Sequence, residues 1–199
     1  MSNAVYCAFS SEEPDARVFL CMKECGATKL LVDSTTSHRF KSGFNISECL
    51  KKAHGYETMY EPTILRFDEI ANDHSLATII FTSGSTGIPK AVPHNHRTYI
   101  SCFPLFVKDG IMNCQDVILQ RAPVTFVIHH QDVFGSFYFG ACLALMRPGS
   151  HRDANHIVET IHTQCISAVT ITPTLLLALV DDETDFDKIQ SLRVALCVG

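Results

Sequence analysis

From Leu76 onward, short continuous apolar runs alternate with stretches of helical periodicity, and this alternation limits the fold more than any other feature. Residues 77–81, 117–119, 142–146, 168–171 and 193–198 are strand-length apolar runs. Continuous runs, rather than apolar–polar alternation, predict strands covered on both faces. Between them, Ala154, Ile157, Val158 and Ile161 recur at i, i+3, i+4 and i+7, with Asp153 placed to cap the helix they define. Thr172 is placed to cap another helix, with Pro173 at its first position and Leu175, Leu176 and Leu179 behind. The pattern predicts an α/β fold of mostly parallel sheets flanked by helices.

The N-terminal part predicts a smaller piece of the same kind. Residues 4–9 read as a short buried strand and residues 29–33 as a second. Between them, Glu12, Glu13 and Asp15 place negative charge at a helix start, Pro14 suits the first helical position, and Gly26 marks the end. Val18, Phe19, Met22 and Cys25 give that helix one apolar face. Residues 1–33 are thus expected to form a βαβ piece with a right-handed crossover. Residues 34–75 read as a polar connector with a short helix around 46–52, and residues 76–199 as the main α/β region. No internal repeat interrupts this organisation.

Composition removes several function classes. The chain has 199 residues, 46% apolar and 19% charged, which is a domain's worth of core-forming sequence and not a disordered chain. Sixteen basic residues (Lys and Arg) against 21 acidic ones give a net charge of −5, and no basic run could track a nucleic-acid backbone. No apolar stretch approaches the length of a membrane span; the densest, 126–146, is broken by His129, His130, Gln131 and Asp132. Nine cysteines, an odd count, and a start without a basic flank or apolar signal core point to a cytoplasmic, reducing setting with free buried thiols. Cys21 and Cys25 have three residues between them, and the histidine pairs His94/His96, His129/His130 and His151/His156 do not join cysteines at zinc-site spacing. No structural metal is expected.

The segment with chemical content runs from Phe81 to Lys90. An apolar strand leads into Thr82, Ser83, Gly84, Ser85, Thr86 and Gly87, then Ile88, Pro89 and Lys90. Two glycines allow positive φ and close backbone approach, four hydroxyls add donors, and successive amides in such a turn form an anion-binding nest. Lys90 adds a mobile positive charge. These are the requirements of a polyphosphate. Counting from Gly84, Pro89 stands where a Walker loop needs its second glycine, and Gly84 and Gly87 are too far apart for the dinucleotide fingerprint.

Thr82 to Lys90 resembles the phosphate loop of adenylate-forming enzymes: acyl- and aryl-CoA synthetases, luciferases and nonribosomal peptide synthetase adenylation domains. The likeness extends along the chain. Ala4-Val5-Tyr6 with Pro14 and Arg17, and Cys25-Gly26-Ala27 with Leu30-Leu31-Val32, fit earlier family motifs. Val92, His96 and Arg97 fit the continuation of the loop. Val117 to Gln120 with Pro123 and Phe126, Arg147 to Asp153, Thr172-Pro173-Thr174 and Ser191-Leu192-Arg193 follow in the family's order. The resemblance implies a partial N-terminal adenylate-forming domain spanning 1–199. It implies ATP and magnesium as cofactors, a small carboxylic acid as substrate, and an acceptor thiol of CoA or of a carrier-protein pantetheine. Thr82, Ser83, Gly84, Ser85, Thr86, Gly87 and Lys90 would hold the β- and γ-phosphates.

Two departures from the family pattern shape the expectation. The aromatic-Gly-x-Thr-Glu string whose glutamate holds magnesium, the ribose-binding aspartate and the small C-terminal domain with its catalytic lysine do not occur in these residues. A truncated segment, inactive alone, is therefore expected, with neither a catalytic residue nor a metal ligand of its own. Second, Val127 follows Phe126, where amino-acid-activating members carry an aspartate for the substrate ammonium. A valine cannot compensate a buried charge, so the acid is expected not to be an ordinary α-amino acid. Phe126, Val127, His129 and His130 are candidate borders of the acid pocket. Asp132 is weighed as a substitute anchor against a helix-capping or surface role. The alternative function is a non-catalytic nucleotide-binding or protein-interaction module derived from such a domain.

Overall fold

The computed structural model describes residues 4–54, 73–84, 87–180 and 186–198. Its contacts divide the chain into two units, Met1–His96 and Arg97–Gly199.

In the first unit, α1 (Asp15–Cys25) forms as its apolar spacing predicts, with Val18 and Cys21 buried. Pro14 takes the N-cap rather than the first helical position. Gly26 ends the helix at φ 69°, and the Ala27 amide bonds back to the Met22 carbonyl at 2.9 Å. A residue with a Cβ is disfavoured in that left-handed conformation. Arg39 fastens the helix start, donating from Nε to Asp15 at 2.8 Å and from its terminal nitrogens to the Ser11 and Glu13 carbonyls. Val18, Val32 and Phe40 form the buried cluster below, joined by Phe9, Met22 and Leu30.

The expected βαβ piece is not what forms. Residues 4–9 make one parallel bridge, Tyr6 to Thr78, rather than a buried strand, and Val5 and Tyr6 are exposed. Strand β1 (Leu31–Val32) pairs instead with β2 (Phe44–Asn45), in parallel. The partner thus comes from the stretch read as a connector. It is brought there by a turn in which a Cβ on Gly43 would lie 2.8 Å from Val32 Cγ1. Helix α2 (Ile46–His54) follows, its first turn capped by Asn45 Oδ1, which accepts from the Ser47 and Glu48 amides at 3.0 and 3.3 Å. Strand β3 (Leu76–Thr82) appears where expected. Its partner β4 (Lys90–Asn95) does not follow the parallel rule: the two are antiparallel, in register from Thr82 opposite Lys90 to Ile79 opposite Pro93. Pro93 argues against a central strand, and β4 has only β3 beside it among the described residues.

The second unit is the predicted parallel α/β layer. Helix α3 (His96–Lys108) precedes β5 (Val117–Gln120), α4 (Val127–Phe139), β6 (Cys142–Leu145), α5 (Ala154–Gln164), β7 (Ala168–Ile171), α6 (Pro173–Leu179), a 3-10 turn (Phe186–Ile189) and β8 (Val194–Cys197). All pairings in this sheet are parallel, in the order β6-β5-β7-β8. Alternation along the strands splits the core in two. Leu119, Val169 and Ile171 pack with Ile157, Ile161 and Leu179 of α5 and α6, whereas Ile118 and Ala168 pack with Met112 and, around them, Phe106 and Phe139. Asp153 caps α5 as expected, accepting from the His156 amide at 3.0 Å. Thr172 occupies the N-cap of α6, but its side chain makes no capping bond.

The cysteines correct one expectation. All nine are free, but only Cys21 is buried, and Cys49, Cys102, Cys114, Cys142, Cys165 and Cys197 are exposed. Several lie on strand or helix faces that their apolar neighbours made look interior. Cys7 is pushed up to about 12 by burial and by the nearby Cys25 and Cys21, which makes it a poor nucleophile.

The amino ends of the strands are tied together by one network. Asp116 is buried and accepts from Arg193 Nη2 at 2.6 Å, from Ser167 Oγ at 2.7 Å and from the Asn113 amide at 2.8 Å. Arg193 also donates to the Gly110 and Ile111 carbonyls at 2.9 and 2.8 Å. Burial acts to raise the Asp116 carboxyl, but these hydrogen bonds outweigh it and hold the group below its ordinary value. Removing the cation would strand a buried carboxylate. Arg193→Ala is expected to cost about 2–3 kcal/mol, below the range for fully buried pairs because Arg193 is partly exposed. Urea unfolding measures this, and a loss below about 0.5 kcal/mol, the ordinary surface range, would show that the network is not structural.

Candidate functional site

The Thr82–Lys90 segment is the connection of the β3–β4 hairpin. The antiparallel register sets Lys90 directly across from Thr82, so both side chains project from the same face of the hairpin. Thr82, Ser83 and Lys90 are exposed, and Pro89 is buried beneath them. The turn closes through the Gly87 amide, which bonds the Gly84 carbonyl at 3.0 Å, with Gly87 at φ 80°. A Cβ on Gly84 would lie 2.1 Å from the Ile88 carbonyl oxygen, so only glycine fits there. One loop amide is therefore spent on the turn itself. Ser85 and Thr86 lie outside the described residues.

The second unit holds a cavity of about 720 Å³, lined by residues that include Arg121, Pro123, Phe126, Val127, His151, Thr172, Leu175 and Val198. Its position follows from topology. The chain leaves β5 towards β6 on one side and leaves β7 towards β8 on the other, so β5 and β7 flank a switch point. Ligands of open parallel sheets bind beyond the carboxyl ends of strands at such a point. Arg121, His151, Thr172 and Val198 follow β5, β6, β7 and β8 respectively.

Two of the residues singled out from sequence, Phe126 and Val127, line the cavity, and Phe126 is 59% exposed. His129 and His130 are not among its lining residues. His129 Nδ1 lies 3.0 Å from Gln120 Nε2, and burial lowers its pKa. His130 is 1% exposed, with Nδ1 3.3 Å from the Tyr99 hydroxyl. Arg152 and Thr174 lie within motif strings noted in the sequence but were not named as site residues, and Arg121, just after a predicted strand, was not singled out at all. Among the described residues, no group of three or more His, Cys, Asp or Glu converges in a way that could hold a metal.

Asp132 neither caps a helix nor faces solvent. It is 3% exposed in α4, its Oδ1 is 3.5 Å from Thr170 Oγ1, and its Oδ2 has no hydrogen-bond partner among the described residues. Burial pushes the carboxyl up to about 7, opposed by the Thr170 bond and the Arg121 charge.

The AMP-binding enzyme family model matches residues 1–199. The chain belongs to that family. Zwittermicin A synthase ZmaJ of Bacillus cereus is 25% identical over 201 aligned residues, covering 100% of this chain and 38% of ZmaJ. The N-terminal subdomain of Klebsiella oxytoca NpsA superposes with a TM-score of 0.75 at 21% identity, covering 96% of this chain and 46% of that one. O-succinylbenzoate coenzyme A synthetase of Bacillus subtilis gives 0.74 at 18% identity, covering 97% and 48%. The chain thus spans less than half the length of these relatives, and their fold is the N-terminal adenylate-forming fold.

Because the folded-state pKa of Asp132 lies above its ordinary 3.8, the protonated carboxyl stabilises the fold fully below that value, and this contribution is lost as pH rises through about 7. Thermal melts between pH 5.5 and 8 are expected to show wild type losing stability relative to Asp132→Asn. Parallel curves would show that Asp132 does not titrate in this range.

Proposed function

We propose that these residues form part of an ATP-dependent carboxylate-activating ligase. In that reaction a carboxylate oxygen attacks the α-phosphorus of ATP, pyrophosphate leaves, and the acyl-adenylate passes its acyl group to a thiol. The observation that carries the reading is the hairpin turn from Thr82 to Lys90, with the Thr82 hydroxyl and the Lys90 cation on one face, in a chain of the AMP-binding family. Thr82, Ser83, Gly84, Ser85, Thr86, Gly87 and Lys90 would hold the β- and γ-phosphates through amides, hydroxyls and one ammonium. Their share of catalysis is charge neutralisation and positioning. The structural relatives are described as bound to 3-hydroxyanthranilyl-AMSN and to AMP, which supports an adenylate as the product. Magnesium is expected from the family, bound through the ATP phosphates and carboxylate oxygens.

The cavity would take the acid. Val127 on its wall offers no charge for a substrate ammonium, which favours an aryl, fatty, keto or hydroxy acid over an α-amino acid. The acceptor would be CoA or a carrier-protein pantetheine; NpsA has been fused to ThdA as an adenylation–PCP di-domain. No helix among the described residues is long and apolar enough to cross a membrane, and nine free cysteines favour a cytoplasmic location.

Residues 1–199 by themselves are expected to bind nucleotide without adenylating, since the metal-binding, ribose-binding and catalytic-lysine motifs of the family do not occur among them. Isothermal titration with MgATP is expected to show binding that weakens at least tenfold in Lys90→Ala, the effect of about one charge-assisted contact. Equal affinity would remove the loop from the site. Pyrophosphate exchange above the Lys90→Ala background would refute the inactivity of this segment.

A further inference from the structure

Arg121 is the cavity residue whose chemistry the reading above leaves unused. It follows β5 at the switch point, lines the cavity and is partly buried. Among the described residues its guanidinium makes two long bonds, Nε to the Thr170 carbonyl at 3.4 Å and Nη1 to the His151 carbonyl at 3.3 Å. Its Nη2 has no hydrogen bond among the described residues. A guanidinium has five N–H donors in a planar fork, so most of this one's capacity is unspent. Among the described residues, the other charged lining residue is Arg152, beside His151, and no acidic side chain lines the cavity. Asp132 is not among the lining residues, and burial pushes its carboxyl up, so it offsets the Arg121 charge only in part. An under-compensated cation in a largely apolar cavity is costly unless an anion joins it.

We propose that Arg121 is a specificity determinant that selects acids carrying a second anionic group, which its guanidinium holds inside the cavity. This rests on the cavity being the acid site proposed above. The anion is not the reacting carboxylate, because strong pairing to a guanidinium would tie up the lone pairs that must attack phosphorus. The substrate class is therefore a dicarboxylic acid, or an acid with an equivalent anionic tail.

Titration of the chain with adipate, monomethyl adipate and hexanoate tests this. Adipate is expected to bind at least tenfold tighter than the other two, whose length is similar and whose second charge is missing. Arg121→Gln is expected to abolish the preference and Arg121→Lys to retain part of it, with thermal melts checking that each variant is folded. If neither variant folds, the comparison of adipate with its monomethyl ester on wild type still decides. Equal affinities, no binding of any acid, or a preference unchanged in Arg121→Gln would overturn the proposal. MgATP titration on the same samples separates the two readings. Lys90-dependent ATP binding without an adipate preference sinks only the role of Arg121. Loss of ATP affinity in Arg121→Gln would make the bound anion a phosphate and sink it too. An adipate preference without ATP binding would instead sink the ligase assignment.

Discussion

The second unit depends on one constraint: a parallel sheet points every strand's carboxyl end to the same edge. Asp116, Ser167 and Arg193 fix the opposite edge, where β5, β7 and β8 begin, through a buried carboxylate with satisfied acceptors. With that end pinned, the four strand exits converge, and the residues following them become the walls of one cavity. Arg193 reaches across 77 residues of sequence to do this, so the far ends of the unit are coupled by a single guanidinium.

The strands of the parallel sheet were legible because continuous apolar runs admit little else when helical stripes separate them. The Asp153 cap and the Gly26 stop were legible because they rest on local backbone chemistry. What escaped was non-local. Nothing near Leu31 reveals that its partner is Phe44 rather than the stretch before α1, since two-residue strands carry no periodicity. Strand β4 was hidden by Pro93, which reads as a breaker until a strand with one neighbour is considered. Of the cavity's lining residues, Phe126 and Val127 were picked out through family pattern, whereas Arg121 needed topology. Its position directly after an apolar run was the available signal.

Asp132 shows how charge and burial separate in such a layer. Five residues beyond Val127, it seemed to belong to a helix surface, yet α4 turns it inward towards β7. A carboxyl there is pushed up by burial, whereas Asp116, equally buried, is held down by the donors it collects. The same side chain thus meets two environments that shift it in opposite directions, and the difference lies in the number of N–H and O–H groups within reach.

The hairpin placement of Lys90 bears on entropy. Its Cα is clamped across from Thr82, so ordering its ammonium freezes only the aliphatic stem, a cost of about 2 kcal/mol at most, rather than a whole loop backbone. A cation mounted on a strand keeps its backbone in place, so an anion that paired with it would have only the side chain to order.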